Sequence, residues 1–166
     1  TTRPETMLGD TGVAVNPKDE RFGHLVGKTV KLPLVDREIP IFADWHVDTE
    51  FGTGCVKVTP SHDPNDWAMG ERAGLERINI FDETAHVVEG YGKFSGMDRD
   101  EAREAIVAAF EELGLLDHVE DHDHSVMTCY RCHTKLEPWE SEQWFVAVDA
   151  LKEPAARVVE DGSIQF

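Results

Sequence analysis

A lysine, a threonine and two aspartates crowd into one short run, Lys57-Val58-Thr59-Pro60-Ser61-His62-Asp63-Pro64-Asn65-Asp66. In an extended chain, period two puts Lys57 and Thr59 on one face together with Cys55, while Val56 and Val58 face the other way. Asp63 and Asp66 stand three apart where a helix should begin, and backbone N–H groups there keep carboxylates ionised. An ammonium, a hydroxyl and two carboxylates in one place can grip a small polar substrate. The same residues also suit a helix cap and a solvated surface charge, and the spacing weighs the two readings equally.

A second polar run opens the chain. Thr1-Thr2-Arg3-Pro4-Glu5-Thr6 offers hydroxyls and a guanidinium, with Pro4 holding Arg3 extended. This suits the sugar and phosphate of a nucleotide, although a plain capped turn has the same composition. Gly52-Thr53-Gly54 lets the backbone come close to a ligand or simply turn. It is no phosphate loop, because the lysine and following Ser or Thr are missing.

The remaining reactive side chains are weaker candidates. Cys55 lies in an apolar segment with no histidine visibly paired to it, so it reads as a buried hydrophobe rather than a nucleophile. His62 reads as structural. Cys129-Tyr130-Arg131-Cys132 is half of a zinc knuckle, and His122, His124 or His133 would have to complete the four ligands. The expectation is a domain without metal, with zinc in a peripheral segment over 118–145 as the alternative. A zinc-dependent nucleobase deaminase needs a proline before the first cysteine and a His-x-Glu; here Thr128 precedes Cys129, and His86 is followed by Val-Val-Glu.

Apolar periodicity gives the elements that must position these groups. Residues 12–15 read as a strand, 28–34 and 39–42 as a hairpin, and 54–59 as a strand stopped by Pro60. Pro64-Asn65-Asp66 opens a short helix over 67–73 that Gly74 ends. The clearest helix spans 99–113, with Asp98 as N-cap, Glu101 as its partner, and Ala102, Ile106, Ala109, Phe110 and Leu113 on one face. Residues 118–124 read as a loop, 135–148 as strand-like, and 163–166 as one more strand. The class is α+β.

The chain has 166 residues, 16 basic and 33 acidic, for a net charge of −17. So acidic a surface repels nucleic acid and anionic lipid, so any RNA contact must be local. The length suits one domain with a real core. No apolar run approaches the roughly 18 residues of a membrane span, and no basic-then-apolar leader is visible. Three cysteines make no disulfide framework, which fits a reducing compartment. The expectation is a soluble, cytoplasmic monomer. The start at Thr1, inside what reads as a strand, makes it look like a segment of a longer chain.

The motifs resemble a family. Thr-Thr-Arg-Pro-Glu-Thr (1–6), then Gly-Asp-Thr and Val-Ala-Val-Asn-Pro, then Glu50-Phe51-Gly52-Thr53-Gly54-Cys55-Val56-Lys57-Val58-Thr59-Pro60 with His62-Asp63 and Asn65-Asp66, are similar to the inserted editing domain of valyl-tRNA synthetases. The likeness runs on through Gly90-Tyr91-Gly92-Lys93-Phe94-Ser95-Gly96 and Gln143-Trp144-Phe145-Val146 to the Gly-Ser-Ile-Gln-Phe end. Leucyl editing domains typically carry Asp for Glu5 and lack Lys57-Val58-Thr59. Isoleucyl ones have Thr-Thr-Pro-Trp for Thr-Arg-Pro-Glu and no basic residue matching Lys57.

The resemblance implies a single editing domain over 1–166, built on a β-barrel with peripheral helices, within a synthetase whose separate catalytic domain uses ATP. It implies hydrolysis of threonine esterified by mistake to the 3′ end of valine tRNA. An apolar synthetic pocket rejects the isosteric hydroxyl by only about a hundredfold, a figure established for valine-specific synthetases and not obtained from this sequence. Lys57, Thr59 and Asp63 would read that hydroxyl and Asp66 would anchor the α-ammonium. Arg3 and Thr6, with Thr2 beside them, would hold the terminal adenosine, and Phe51 would wall the pocket. Water attacks an activated ester, so neither cofactor nor covalent nucleophile is demanded. The competing class is a non-catalytic RNA-binding module, which would need clustered basic and aromatic residues.

Overall fold

The computed structural model describes residues 1–165. Four strands, β1 (Gly12–Val15), β2 (Thr29–Leu32), β3 (Arg37–Ala43) and β4 (Cys55–Val58), form a sheet in the order β2-β3-β1-β4. The sheet is mixed. β1 runs parallel to β3, with Val13 opposite Ile41, and antiparallel to β4, with Val13 opposite Lys57. β2 and β3 are the expected hairpin, with Thr29 opposite Pro40, and the turn between them puts Leu34 at φ 68°.

The barrel implied by the resemblance is not found among the described residues. The sheet is open, with β2 and β4 as its edges. Closure needs further strands joining those edges. The further segments that read as strands in the sequence are irregular: residues 135–148 hold no strand, only Lys135 in a lone bridge to Thr128. Trp144 and Phe145 stand fully or largely in solvent, so no neighbouring strand gives this apolar stretch a ladder to join. Residues 163–165 form no strand either, and Phe166 lies outside the described residues.

Helices flank the sheet. α1 (Pro64–Ala73) begins at Asp63, whose side chain accepts from Asn65 N and Asp66 N, and ends at Gly74 with φ 65°. α2 (Arg99–Glu112) carries the capping box expected at Asp98 and Glu101. Its buried face is Ala102, Ile106, Ala109 and Phe110, whereas Leu113, at the helix end, is exposed. α3 (Asp149–Glu160) buries no residue and was not anticipated. No helix among the described residues is long and apolar enough to cross a membrane.

Two apolar clusters hold these parts together. Leu8, Ile80, Phe81, Val87 and Phe94 pack with the buried face of α2. Ala14, Val47, Val58 and Met69 fill the space between sheet and α1. Gly70 lets α1 lie close to the end of β4, since a Cβ there would stand 2.7 Å from Pro60 Cγ. Burying Val58 and Met69 by this contact is worth about 2 kcal/mol each, and it fixes α1 against the β4 end where the polar run lies.

Candidate hydrolytic site

The end of β4 and the start of α1 bring Lys57, Thr59 and Asp66 of the polar run together. The Lys57 ammonium donates to Thr59 Oγ1 and, at 3.2 Å, to Asp10 Oδ1. Thr59 Oγ1 in turn donates to Asp10 Oδ1. Thr59 is completely buried and its backbone N–H donates to Asp66 Oδ2 at 2.9 Å. The result is one connected cluster: Asp10, Thr59, Lys57 and Asp66. Its location follows from the strand register, because β4 pairs with β1 and Asp10 stands just before β1.

Burial sets the electrostatics. It pushes the Asp66 carboxyl up to about 6, against the Thr59 N–H and the Lys57 ammonium, which favour its charge. Asp10 is raised for the same first reason, opposed by Lys57 and Thr59. Desolvation pushes His62 down to about 3, helped by the positive charges of Arg3 and Lys57. The neutral ring is built into the core: Nε2 accepts from Ile80 N at 3.0 Å, and the ring meets Phe81 edge-on at 5.3 Å. His62 is thus structural, as expected.

The other site candidates have mixed placements. Asp63 serves as the N-cap, with Oδ1 taken by Asn65 N at 2.7 Å and Asp66 N at 3.1 Å, leaving Oδ2 for other partners. Arg3 is held on three sides: Nε donates to Glu5 Oε1, Nη1 to the His62 carbonyl at 2.9 Å, and Nη2 to Glu137 Oε2. Thr6 Oγ1 donates to the Arg3 carbonyl and is buried, and the Thr2 carbonyl accepts from Arg103 at 2.6 Å. Phe51 is exposed and pairs edge-on with His122 at 6.2 Å, with no contact to the cluster described. At Gly52-Thr53-Gly54 the neighbour that comes close is a side chain, since a Cβ on Gly54 would stand 2.6 Å from Arg21 Nη2.

Two residues that sequence reasoning passed over belong to the site. Asp10 sits in Gly9-Asp10-Thr11, among the motifs that carry the likeness, and an acid two residues before an apolar strand was the available signal. Arg37 on β3 donates to the carbonyls of Leu8 and Asp10 at 2.8 and 2.9 Å and so fixes the backbone that carries Asp10. Nothing in the spacing of Arg37 pointed there.

The chemistry available is hydrogen bonding and charge. An ammonium has three donors; Lys57 spends two on Thr59 and Asp10 and keeps one for a ligand. Cys55 is partly buried and its thiol is pushed up by desolvation, which makes it a poor nucleophile. At the knuckle-like turn, His133 N donates to the Cys129 carbonyl at 2.8 Å and Cys132 Sγ to Thr134 Oγ1 at 3.3 Å. No group of three or more His, Cys, Asp or Glu side chains among the described residues is placed to hold a metal ion.

Known proteins resemble this chain in sequence and in fold. Residues 15–111 match the family described as leucyl-tRNA synthetase, editing domain. A valine--tRNA ligase of Thermotoga maritima is 57% identical over 166 residues, covering 100% of this chain and 19% of that protein. One from Geobacter sulfurreducens is 56% identical over 162 residues, covering 98% and 18%. The chain thus spans about a fifth of the curated relatives it matches. The solved structure described as the crystal structure of GlLeuRS-CP1 shares the fold, with TM-score 0.53 at 18% identity over 69% of this chain and 79% of that one. With more than half its length inside the family match and full-length likeness to valine--tRNA ligases, the chain belongs to the family of class I aminoacyl-tRNA synthetase editing domains.

Proposed function

We propose that this domain hydrolyses the ester of threonine attached by mistake to valine tRNA, as the editing site of a valine-specific synthetase. The observation that carries the reading is the buried cluster of Asp10, Thr59 and Lys57 beside Asp66, which offers a donor, an acceptor and an anion within one small space. Lys57 has one N–H left to donate to the substrate hydroxyl, and Thr59 Oγ1 retains a lone pair to accept from it. Valine would leave both unpaired at about 1 to 3 kcal/mol each. The Asp66 carboxylate neutralises the α-ammonium by a charge-assisted bond and so orients the ester for water. The likeness of the whole chain to valine--tRNA ligases supports threonine as the substrate side chain.

The terminal adenosine would lie against the N-terminal run, with the tRNA body held by the rest of the synthetase, since a net charge of −17 opposes a wide RNA contact. In the parent enzyme, Asp66→Ala should lower deacylation of threonyl-tRNA by about a hundredfold or more and leave valine activation intact. An unchanged deacylation rate would remove Asp66 from the reaction. The family match also bears the leucyl description, so isoleucyl- and leucyl-type esters belong in the same assay. Preference for one of these over threonyl-tRNA would transfer the site to that substrate.

A further inference from the structure

We propose that Glu137 is a positioning residue for this site, acting through Arg3 on the turn that presents Asp63 and Asp66. The proposal rests on the hydrolytic reading of the cluster above and adds a residue far away in sequence. Glu137 divides its two carboxylate oxygens between two guanidiniums: Oε2 accepts from Arg3 Nη2, and Oε1 from Arg99 Nη1 at 3.1 Å. Arg99 Nη1 also donates to the Lys135 carbonyl at 3.2 Å, so the segment is tied to the start of α2 by backbone as well as side chain. Glu137 and Arg99 expose only 17% and 15% of their side chains, which places this pair where solvent screening is reduced.

From Arg3 the connection passes to the site in one step. Arg3 Nη1 donates to the His62 carbonyl, and His62 immediately precedes the Asp63 cap. The His62 ring is anchored to Ile80 N, so the turn is held from the core as well as by Arg3. Arg3 Nε is meanwhile held by Glu5, whose other oxygen is 3.6 Å from Arg103 Nη1. The charges alternate Arg103, Glu5, Arg3, Glu137, Arg99. Removing Glu137 leaves Arg3 and Arg99 without the anion between them, and frees the guanidinium that braces the His62 carbonyl. The turn that carries the Asp63 cap and leads to Asp66 would then lose a support.

The test uses the full-length synthetase, with single-turnover deacylation of threonyl-tRNA and urea unfolding measured for Glu137→Gln, Glu137→Ala, Arg3→Ala and the double variant Arg3→Ala/Glu137→Ala. Misplacement of a bound ester on the ångström scale costs about ten- to a hundredfold, so Glu137→Ala should lose that much in rate constant at saturating substrate. Glu137→Gln, which keeps one accepting oxygen and the shape, should fall between it and the native enzyme. The double variant should be no slower than Arg3→Ala, because the two residues act in series. Losses that multiply in the double variant would overturn the proposal, as would a Glu137→Gln enzyme that unfolds at lower urea yet keeps the native rate constant. Asp66→Ala is run beside them. If the native enzyme itself does not deacylate threonyl-tRNA, the hydrolytic reading fails; if the native enzyme is active and Asp66→Ala inert while the Glu137 variants are unimpaired, only the role of Glu137 fails.

Discussion

The Asp66 carboxylate sits 2.9 Å from the backbone nitrogen of Thr59, so the residue proposed to hold the substrate's ammonium is fixed by the residue proposed to read its hydroxyl. That bond joins the first turn of α1 to the end of β4. Anchor and reader therefore move together. The relationship makes the charge state of Asp66 the first thing to measure.

Deacylation should depend on pH through this group. Burial raises Asp66 to about 6, so kcat/KM for threonyl-tRNA should fall as pH drops below about 6, where the carboxylate takes a proton and can no longer pair with an ammonium. The check is a pH profile corrected for spontaneous ester hydrolysis. An Asp66→Asn enzyme should have lost this inflection along with most of its rate.

The same group acts on stability with the opposite sense. Its folded value lies above its unfolded value of 3.8, so the native state holds the extra proton, and that advantage is complete below about 3.8 and gone above about 6. Asp66→Asn should thus stabilise the protein by about 1–2 kcal/mol at pH 7, after allowance for partial solvation, and by little at pH 4. Urea midpoints of the two proteins at both pH values decide it.

His62 should supply the acid sensitivity. Its folded value of about 3 lies below the unfolded 6.5, so the unfolded chain binds the proton first and stability drains away as pH falls from about 6.5 towards 3. A His62→Gln variant can accept from Ile80 N without charging, and its urea midpoint should change less over that interval than the native one. Equal slopes would remove His62 as the cause.

Both local and long-range parts of the site were present in the sequence, but unequally legible. Lys57, Thr59, Asp63 and Asp66 fall in one strand-to-helix run, where period two and a capping pattern place side chains without knowledge of the fold. Asp10 and Arg37 join them only through the pairing of β1 with β3 and β4, which depends on contacts far apart in the chain. The hairpin and α2 were legible because turn and capping signals are local. The stretch over 135–148 was not, because β-branched and aromatic composition describes a strand only when a partner strand exists. Its Glu137 lies among charges that read as ordinary surface until Arg3 and Arg99 close around it.

Reading of the hydroxyl should be separable from catalysis. Thr59 is fully buried, so Thr59→Phe should close the space and abolish clearance of threonyl-tRNA, and normal clearance would put the pocket elsewhere. A non-hydrolysable threonyl-adenosine should bind at least about tenfold more tightly than its valyl counterpart by calorimetry, the cost of one or two unpaired polar groups. Equal affinities would mean that Lys57 and Thr59 do not read the hydroxyl.

The close seating of α1 at Gly70 makes the site sensitive to volume as well as charge. Gly70 is one turn beyond Asp66, on the face of the helix that meets Pro60, and an added methyl there would fall 2.7 Å from the proline ring. Gly70→Ala raises intrinsic helix propensity, so by local rules it should help. Here the methyl would instead lever the helix off the strand, lengthening the bond between Asp66 and Thr59 without touching either residue. An added methyl that touches none of the polar groups would thereby detune the proposed deacylation, through the seating of the helix rather than through the chemistry.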